Sequence, residues 1–403
     1  MSNLPSIHQW IAAAHRGDAI GDNARVLRDM FRSWGHESEI FALTIDDNMA
    51  GEARLWSDPA SRSGDITIYH YAVPSPMTEA FGRLPGARVL HYHNVTPGYF
   101  FAPYDAGLVR FCDAGREQLA TMADRTDLAL GVSEFNRAEL EALGFPDTGV
   151  LPIAVDVDRL RHAPPVPSIE SILAKDFVNI LYVGRIAPNK KIEDIIRMAE
   201  HYKRYIDFRY RFIFVGKVDA VPRYYDAIRG LITEYRMLND RFWFTGPVPD
   251  AELAAYYRHA HAYVSLSEHE GFCVPLMEAF HMGVPVVAHA ATAVPATMDG
   301  GGLLYHDKDP IAIAGLLDAL VSNAALRESV LSKQDAALDR LLAKDFGGML
   351  LRFVEETLAR PRRQAPPVAF DFWDQVRQAE WLEEVRATRP AAFQALPDED
   401  AAR

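Results

Sequence analysis

The 403 residues carry 42 Lys and Arg against 55 Asp and Glu, a net charge of −13, with 49% hydrophobic and 24% charged positions. That length exceeds one ordinary core, so two domains are expected, and the acidic balance argues against a nucleic-acid binder, which needs clustered Lys and Arg to neutralise phosphates. Two cysteines, Cys112 and Cys273, cannot form a disulfide framework and suggest a reducing compartment; no apolar run reaches membrane-spanning length and the N-terminus lacks a signal-peptide pattern, so the expectation is a cytoplasmic protein, with peripheral contact at the inner face of the plasma membrane left open.

Ser6 to Ala13 reads as mixed. Gly17-Asp18-Ala19-Ile20-Gly21-Asp22 stands ahead of the first strong helical pattern, Asn23 to Trp34, which ends at the C-cap glycine Gly35. This loop reads equally as phosphate-facing or as a plain turn. Strands are expected at Ser38–Ile45, Ile66–Ala72, Arg88–Val95, Leu128–Val132 and Thr148–Ile153, alternating with helices such as Arg116–Ala123 and Glu134–Leu143. That alternation implies a mostly parallel sheet covered on both faces.

Ala163-Pro164-Pro165-Val166-Pro167 is a stiff linker and marks a boundary. Alternation then restarts. Strands are expected at Val178–Val183, Arg211–Val215 and Arg241–Thr245, each followed by a glycine (Gly184, Gly216, Gly246). Helices are expected at Lys191–Tyr205 and at Asp250–His259, the latter with Asp250 as N-cap, then at Pro310–Val321 and through Ala325–Leu351. The fold class is therefore α/β, two Rossmann-like domains facing a cleft: 1–163, 164–344, a returning segment 345–389 and a frayed tail 390–403. Phe370, Phe372, Trp373 and Trp381 offer anchors for a docking helix, and Arg360-Pro361-Arg362-Arg363 is either a solvated turn or a lipid-phosphate contact.

The densest chemistry lies between strands expected at Ala262–Leu266 and Pro285–Ala290. There Glu270 and Glu278 flank Gly271-Phe272-Cys273-Val274-Pro275. Pro275 suits the first turn of a helix, so Glu270 falls in the loop and Glu278 about one turn inside. The N–H groups of Gly271 to Val274 crown a helix start, which attracts anions and hydroxyls. An acid/base pair of a hydrolase fits this placement less well than a grip on sugar and ribose hydroxyls. Gly184-Arg185 with Lys190 aims two cations at one point after a buried strand, as a diphosphate requires; a basic surface turn is the plainer reading. His91 and His93 share one side of their strand. A metal pair there lacks a third ligand at telling spacing; a buried structural histidine is common, and His93 as a cleft hydrogen-bonder is preferred. No GxGxxG, Walker, CxxC or GxSxG pattern occurs.

Glu270-x7-Glu278 with Gly271-Phe272, Pro275 and Gly283-Val284-Pro285, preceded by Val183-Gly184-Arg185, Lys190 and Phe244-Thr245-Gly246, resembles glycosyltransferase family four, the retaining group one enzymes of GT-B fold. The resemblance is strongest from about Val150 to Leu320. It continues more weakly in His93-Asn94-Val95-Thr96-Pro97, Val132-Ser133-Glu134-Phe135 and Leu151-Pro152 with Val155-Asp156. It implies that Arg185 and Lys190 hold the diphosphate of a nucleotide-sugar donor. By the same resemblance Glu270 contacts the transferred sugar, and Gly271, Phe272, Cys273 and Val274 offer N–H groups to sugar and phosphate. Glu278 would bind ribose, Gly216–Lys217 and Gly246–Val248 would lie near the base, and Gly184 would belong to the phosphate loop. His93 would line the reaction centre, and Gly17 to Gly21 would approach phosphate or acceptor. A helix after Asp345 would return to the first domain.

The implied activity moves a hexose from a GDP-mannose or UDP-glucose type donor to a glycan or lipid-linked acceptor in cell-surface polysaccharide synthesis, with retention, no protein nucleophile, no cofactor and no metal. Two departures stand out: many relatives have glycine where Cys273 stands, and Gly-Asp-Ala-Ile-Gly replaces a glycine pair. A GT-B epimerase is one alternative. A phosphorylase would need a pyridoxal-phosphate lysine, for which no context is visible. A non-catalytic sugar-nucleotide scaffold has no chemical need for Arg185, Lys190, Glu270 and Glu278 together.

Overall fold

The computed structural model describes residues 4–363 except 155, 157 and 238, together with Ala387. The expected docking segment around Phe370, Phe372, Trp373 and Trp381 and the tail from Pro390 lie outside the described residues.

Two parallel sheets organise the chain. The first contains β1 (Ile7–Ala14), β2 (Ile40–Ile45), β3 (Arg54–Leu55), β4 (Ile66–Tyr71), β5 (Ala87–Tyr92), β6 (Leu128–Gly131) and β7 (Thr148–Val150), in the order β3-β2-β1-β4-β5-β6-β7. The second contains β8 (Val178–Val183), β9 (Tyr210–Val215), β10 (Phe242–Gly246), β11 (Ala262–Ser265), β12 (Val286–His289) and β13 (Leu303–Tyr305), in the order β10-β9-β8-β11-β12-β13. In each sheet the chain order reverses beside the first strand, between β1 and β4 and between β8 and β11. Ligands of doubly wound sheets bind outside the carboxyl ends of the strands at such a switch point.

The mixed stretch Ser6–Ala13 is in fact the central strand β1. Its His8 and Gln9 are as buried as Ile7 and Trp10, so polar residues inside a central strand disguised the apolar run. The helix expected at Arg116–Ala123 begins ten residues earlier and spans Ala106–Ala120, where Asp105 caps Leu108 N–H at 3.0 Å. Pro249, not Asp250, occupies the cap position of the helix Asp250–His259. The single helical region expected from Ala325 to Leu351 is two helices, Ala324–Leu342 and Phe346–Ala359, the second capped by Asp345.

The helix Phe346–Ala359 lies on the first sheet. Leu350 and Val354 are buried among Ile7, Leu27, Phe31, Ile66, Leu128 and Leu130, each fully buried side chain of this size contributing about 2 kcal/mol. Beyond it, Arg363 N–H donates to Asp127 Oδ1 at 3.0 Å and its guanidinium to Asp147 at 2.7 Å, while Arg362 reaches Pro85 O at 3.3 Å. The basic run 360–363 is therefore tied to the first domain by ion pairs and hydrogen bonds, with Pro361 and Arg362 still exposed. No single helix among the described residues is long and apolar enough to cross a membrane.

Candidate functional site

The carboxyl end of β11 leads into the loop that carries Glu270. Glu270 N–H donates to Thr292 Oγ1 and Thr292 Oγ1 donates back to Glu270 O, both at 2.9 Å, and Thr297 Oγ1 donates to Phe272 O at 2.6 Å. From the end of β8, Asn189 Nδ2 donates to His269 O at 3.1 Å and Glu268 N–H donates to Asn189 O at 2.9 Å. These bonds stitch two loops 80 residues apart so that Lys190 Nζ meets Glu270 Oε1 at 2.7 Å, both side chains largely buried. The two residues assigned to opposite jobs, diphosphate and sugar, are thus partners in the ligand-free chain. Burying such a pair costs desolvation that the contact between its partners offsets.

The helix begins at Val274 with Pro275 in its first turn, and its N-terminus has no side-chain cap. Its first N–H groups are therefore not taken by a side chain of the chain itself. Cys273 occupies the cap position at φ 72°, a left-handed conformation that favours glycine. Burial, with Glu270 adding, pushes its thiol well above the ordinary range, so it stays protonated and is no nucleophile.

Glu278 lies one turn in, as expected, but it is not a free hydroxyl binder. Arg159 Nη2 donates to its Oε1 at 2.6 Å and Tyr257 OH to its Oε2 at 3.0 Å. Burial raises its carboxyl above the usual range, opposed by Arg159 and Tyr257, with Asp250 and Asp22 adding repulsion. Arg159 escaped sequence reasoning because the 119 residues between it and Glu278 leave no local trace.

The other phosphate-side residues are more dispersed. Arg185 is exposed. Gly184 and Gly216 have φ 151° and 138°, and a Cβ on Gly216 would stand 2.3 Å from Gly184 O, so the two loops touch through backbone. Gly216 N–H in turn donates to Gly246 O at 3.0 Å. Lys217 faces Asp219 at 3.9 Å on the surface. Val248, with Cys273 and Val274, packs on the core of the second domain.

The first domain meets this loop directly. A Cβ on Gly271 would stand 2.6 Å from His93 O and 2.9 Å from Asn94 Cβ, an approach only glycine permits. His269 sits between Phe100 and Phe135, with ring centroids 6.1 and 5.8 Å away, and its Nε2 contacts Asn94 Oδ1 at 2.6 Å. Burial lowers His269 to about 4, so it is a neutral donor to that amide. Gly17, at φ 75°, leads into the helix Ala19–Ser33, whose N-terminus is capped by Asp18 accepting from Gly21 N–H at 3.4 Å. The chain's own carboxylate therefore takes one of the N–H groups that a phosphate would use at this helix end. A Cβ on Gly21 would lie 2.3 Å from His15 O.

His93 also differs from its expected surroundings. His70 on β4 joins His91 and His93, and the three offer nitrogens within 4.8 Å of one another; the third imidazole that sequence spacing did not supply comes from the neighbouring strand. His70 Nδ1 and His93 Nε2 are 2.9 Å apart, a hydrogen bond. Burial lowers His91 to about 4 and holds His70 and His93 well below the ordinary histidine range.

Residues 169–334 match the family model described as Glycosyl transferases group 1. O-antigen chain mannosyltransferase B of Escherichia coli is 26% identical over 210 residues, 51% of this chain and 54% of that protein. A D-inositol 3-phosphate glycosyltransferase of Frankia alni is 33% identical over 174 residues, 41% of this chain and 42% of that protein. The chain thus spans about half the length of these curated relatives. Sucrose-phosphate synthase from Thermosynechococcus elongatus superposes with a TM-score of 0.69 at 17% identity, covering 88% of this chain and 100% of that one. Anabaena HepE in complex with UDP-glucose gives 0.65 at 14% identity, covering 88% and 100%. At such identities the likeness establishes the fold, which is GT-B.

Proposed function

From the match of residues 169–334 to the glycosyl transferases group 1 model, we propose that the chain is a retaining glycosyltransferase. It moves a hexose from a nucleotide sugar of the GDP-mannose or UDP-glucose type to a glycan or lipid-linked acceptor of a cell-surface polysaccharide. The observation that carries this reading is the Lys190–Glu270 pair at 2.7 Å, set at an uncapped helix N-terminus and closed from the other domain by His93 over Gly271. A cation, a carboxylate and free backbone donors in one partly dry place suit a diphosphate joined to a sugar.

In this reading the bond from the sugar's anomeric carbon to the diphosphate breaks while the acceptor oxygen bonds to the same face, keeping the configuration. The acceptor's proton goes to the departing phosphate oxygen. Lys190 and the exposed Arg185 stabilise the charge that grows there, and this is the work a metal would otherwise do. Glu270, exchanging Lys190 for a sugar hydroxyl, fixes the hexose. Glu278 acts on the ribose as a pair with Arg159. Names of relatives such as the O-antigen mannosyltransferase favour a mannosyl donor, and that of the HepE complex a UDP-glucose donor.

A thermal-shift screen against GDP-, UDP- and dTDP-sugars tests the reading, since a ligand that binds the folded state raises its midpoint. A shift with one nucleotide series, followed by transfer of its sugar, is the expected result. No shift with any of them would replace the enzyme with a scaffold.

A further inference from the structure

Seven polar atoms at the switch point of the first sheet form a chain whose proton positions can be assigned one by one. Gln9, buried on β1, donates from Nε2 to Ala24 O at 2.8 Å. A carbonyl accepts only, so the amide orientation is fixed and Oε1 faces the other way. That Oε1 lies 2.9 Å from His70 Nε2, which must therefore carry a proton. A neutral His70 then presents Nδ1 as a bare lone pair, and His93 Nε2, 2.9 Å away, must donate to it. This leaves Nδ1 of His93 without a proton and, among the described residues, buried without a partner. Both His70 and Gln9 are nearly inaccessible, so water does not compete for these bonds.

We propose that Gln9 and His70 are positioning residues for His93, holding its imidazole in the Nε2–H form so that the buried, unpartnered Nδ1 is the acceptor a substrate hydroxyl meets once the ring is uncovered. This rests on the glycosyltransferase reading for the hydroxyl, but not for the proton order. The groups around His93 agree with a neutral ring. His91 on its own strand donates Nε2–H to Leu151 O at 2.9 Å, and His70 faces it from β4. Across the cleft His269 is neutral and Glu270 is matched by Lys190. A doubly protonated His93 would lose the acceptor and leave an uncompensated cation in a buried place, which burial disfavours. The arrangement follows a common rule: the tautomer of one imidazole is set by what its other nitrogen touches.

Two-bond 1H–15N spectra of 15N-histidine-labelled protein, with His93 assigned by substitution, read the proton position directly and need no donor or turnover. The expected spectrum shows His93 in a single Nε2–H form from neutral pH down to about pH 5. Gln9→Leu frees His70 to choose either tautomer, and His93 becomes a mixture. His70→Phe does the same, and Gln9→Met serves if either fails to fold. With a donor in hand, kcat in Gln9→Leu falls on the order of tenfold or more, as expected for an imidazole in the wrong tautomer. Binding of UDP or GDP stays within about twofold. An Nδ1–H or cationic His93 in the wild type, or an unchanged tautomer in Gln9→Leu, overturns the proposal. So does stoichiometric uptake of Zn2+ that moves all three histidine signals, which would make the cluster a metal site. Failure of the transfer assay alone, with the tautomer as stated, counts against the reading of the reaction instead.

Discussion

The two walls of the cleft are built from opposite kinds of chemistry. On the second domain the wall is charged: Lys190 against Glu270 and Arg159 against Glu278, at 2.7 and 2.6 Å. On the first domain the groups nearest the loop are an amide and imidazoles held neutral by burial, and the charged Arg116 and Glu139 behind Asn94 are paired with each other at 2.9 Å. The charged wall is loaded with ion pairs whose members a bound donor can re-partner. The neutral wall cannot answer a ligand with charge, and offers fixed lone pairs instead. The difference follows from where each group sits. The charged residues come from loops and helix starts beyond the strand ends, where each carboxylate has a cation beside it. The imidazoles stand on or just after central strands with both faces covered, where an uncompensated cation would be costly.

The charged wall breaks with the largest effect. Lys190→Ala and Glu270→Ala are each expected to lower kcat/KM on the order of a hundredfold or more while leaving the protein folded, the scale of a lost transition-state contact. Full activity in either variant would falsify the site assignment. Acid breaks the buried imidazoles, His91 on the neutral wall and His269 facing it from the other domain. In the unfolded chain His91 and His269 take up protons near pH 6.5; in the folded chain they stay neutral to about 4. A histidine with a depressed folded value leaves stability full above pH 6.5 and drains it as pH falls toward 4. The loss reaches on the order of 3 kcal/mol for each of these two residues. A denaturation midpoint that stays flat between pH 7 and 4.5 would show that these rings are already charged or exposed.

Arg159→Ala separates pairing from binding on the charged wall. It strands a buried Glu278 and should cost about 3 kcal/mol of stability, most of it recovered by adding Glu278→Gln. Equal stability of Arg159→Ala and the wild type in urea would mean the pair is loose in solution. The smallest effect is expected at Cys273→Gly. Relief of the left-handed backbone at φ 72° should stabilise by about 1 kcal/mol or less, since glycine also gives entropy back to the unfolded chain. Destabilisation there would mean that thiol packing outweighs backbone strain.

Much of the site was legible because it is local. Glu270, the glycine after it, Pro275 and Glu278 lie within nine consecutive residues. A proline at a helix start and a carboxylate one turn in are properties of a short segment. The α/β class followed from alternation along the chain. The strand β1 was missed because His8, Gln9 and Trp10 do not read as an apolar run, and one of these, Gln9, is the partner of His70.

What the chain could not announce was its pairing over distance. Arg159 finds Glu278 across 119 residues, His70 finds His93 across 23, and Asn94 meets His269 across 175. Residue types and spacing determined the Glu270–Glu278 loop and helix by themselves, because local backbone chemistry decides where a helix begins. Only the tertiary structure decided that Lys190 and Glu270 are each other's partners, that Glu278 is already occupied, and that His93 has its proton placed for it. Those facts depend on which strand ends two separate sheets bring together, and a hydrogen bond's direction is set by every neighbour in the chain of donors, not by the residue that carries it.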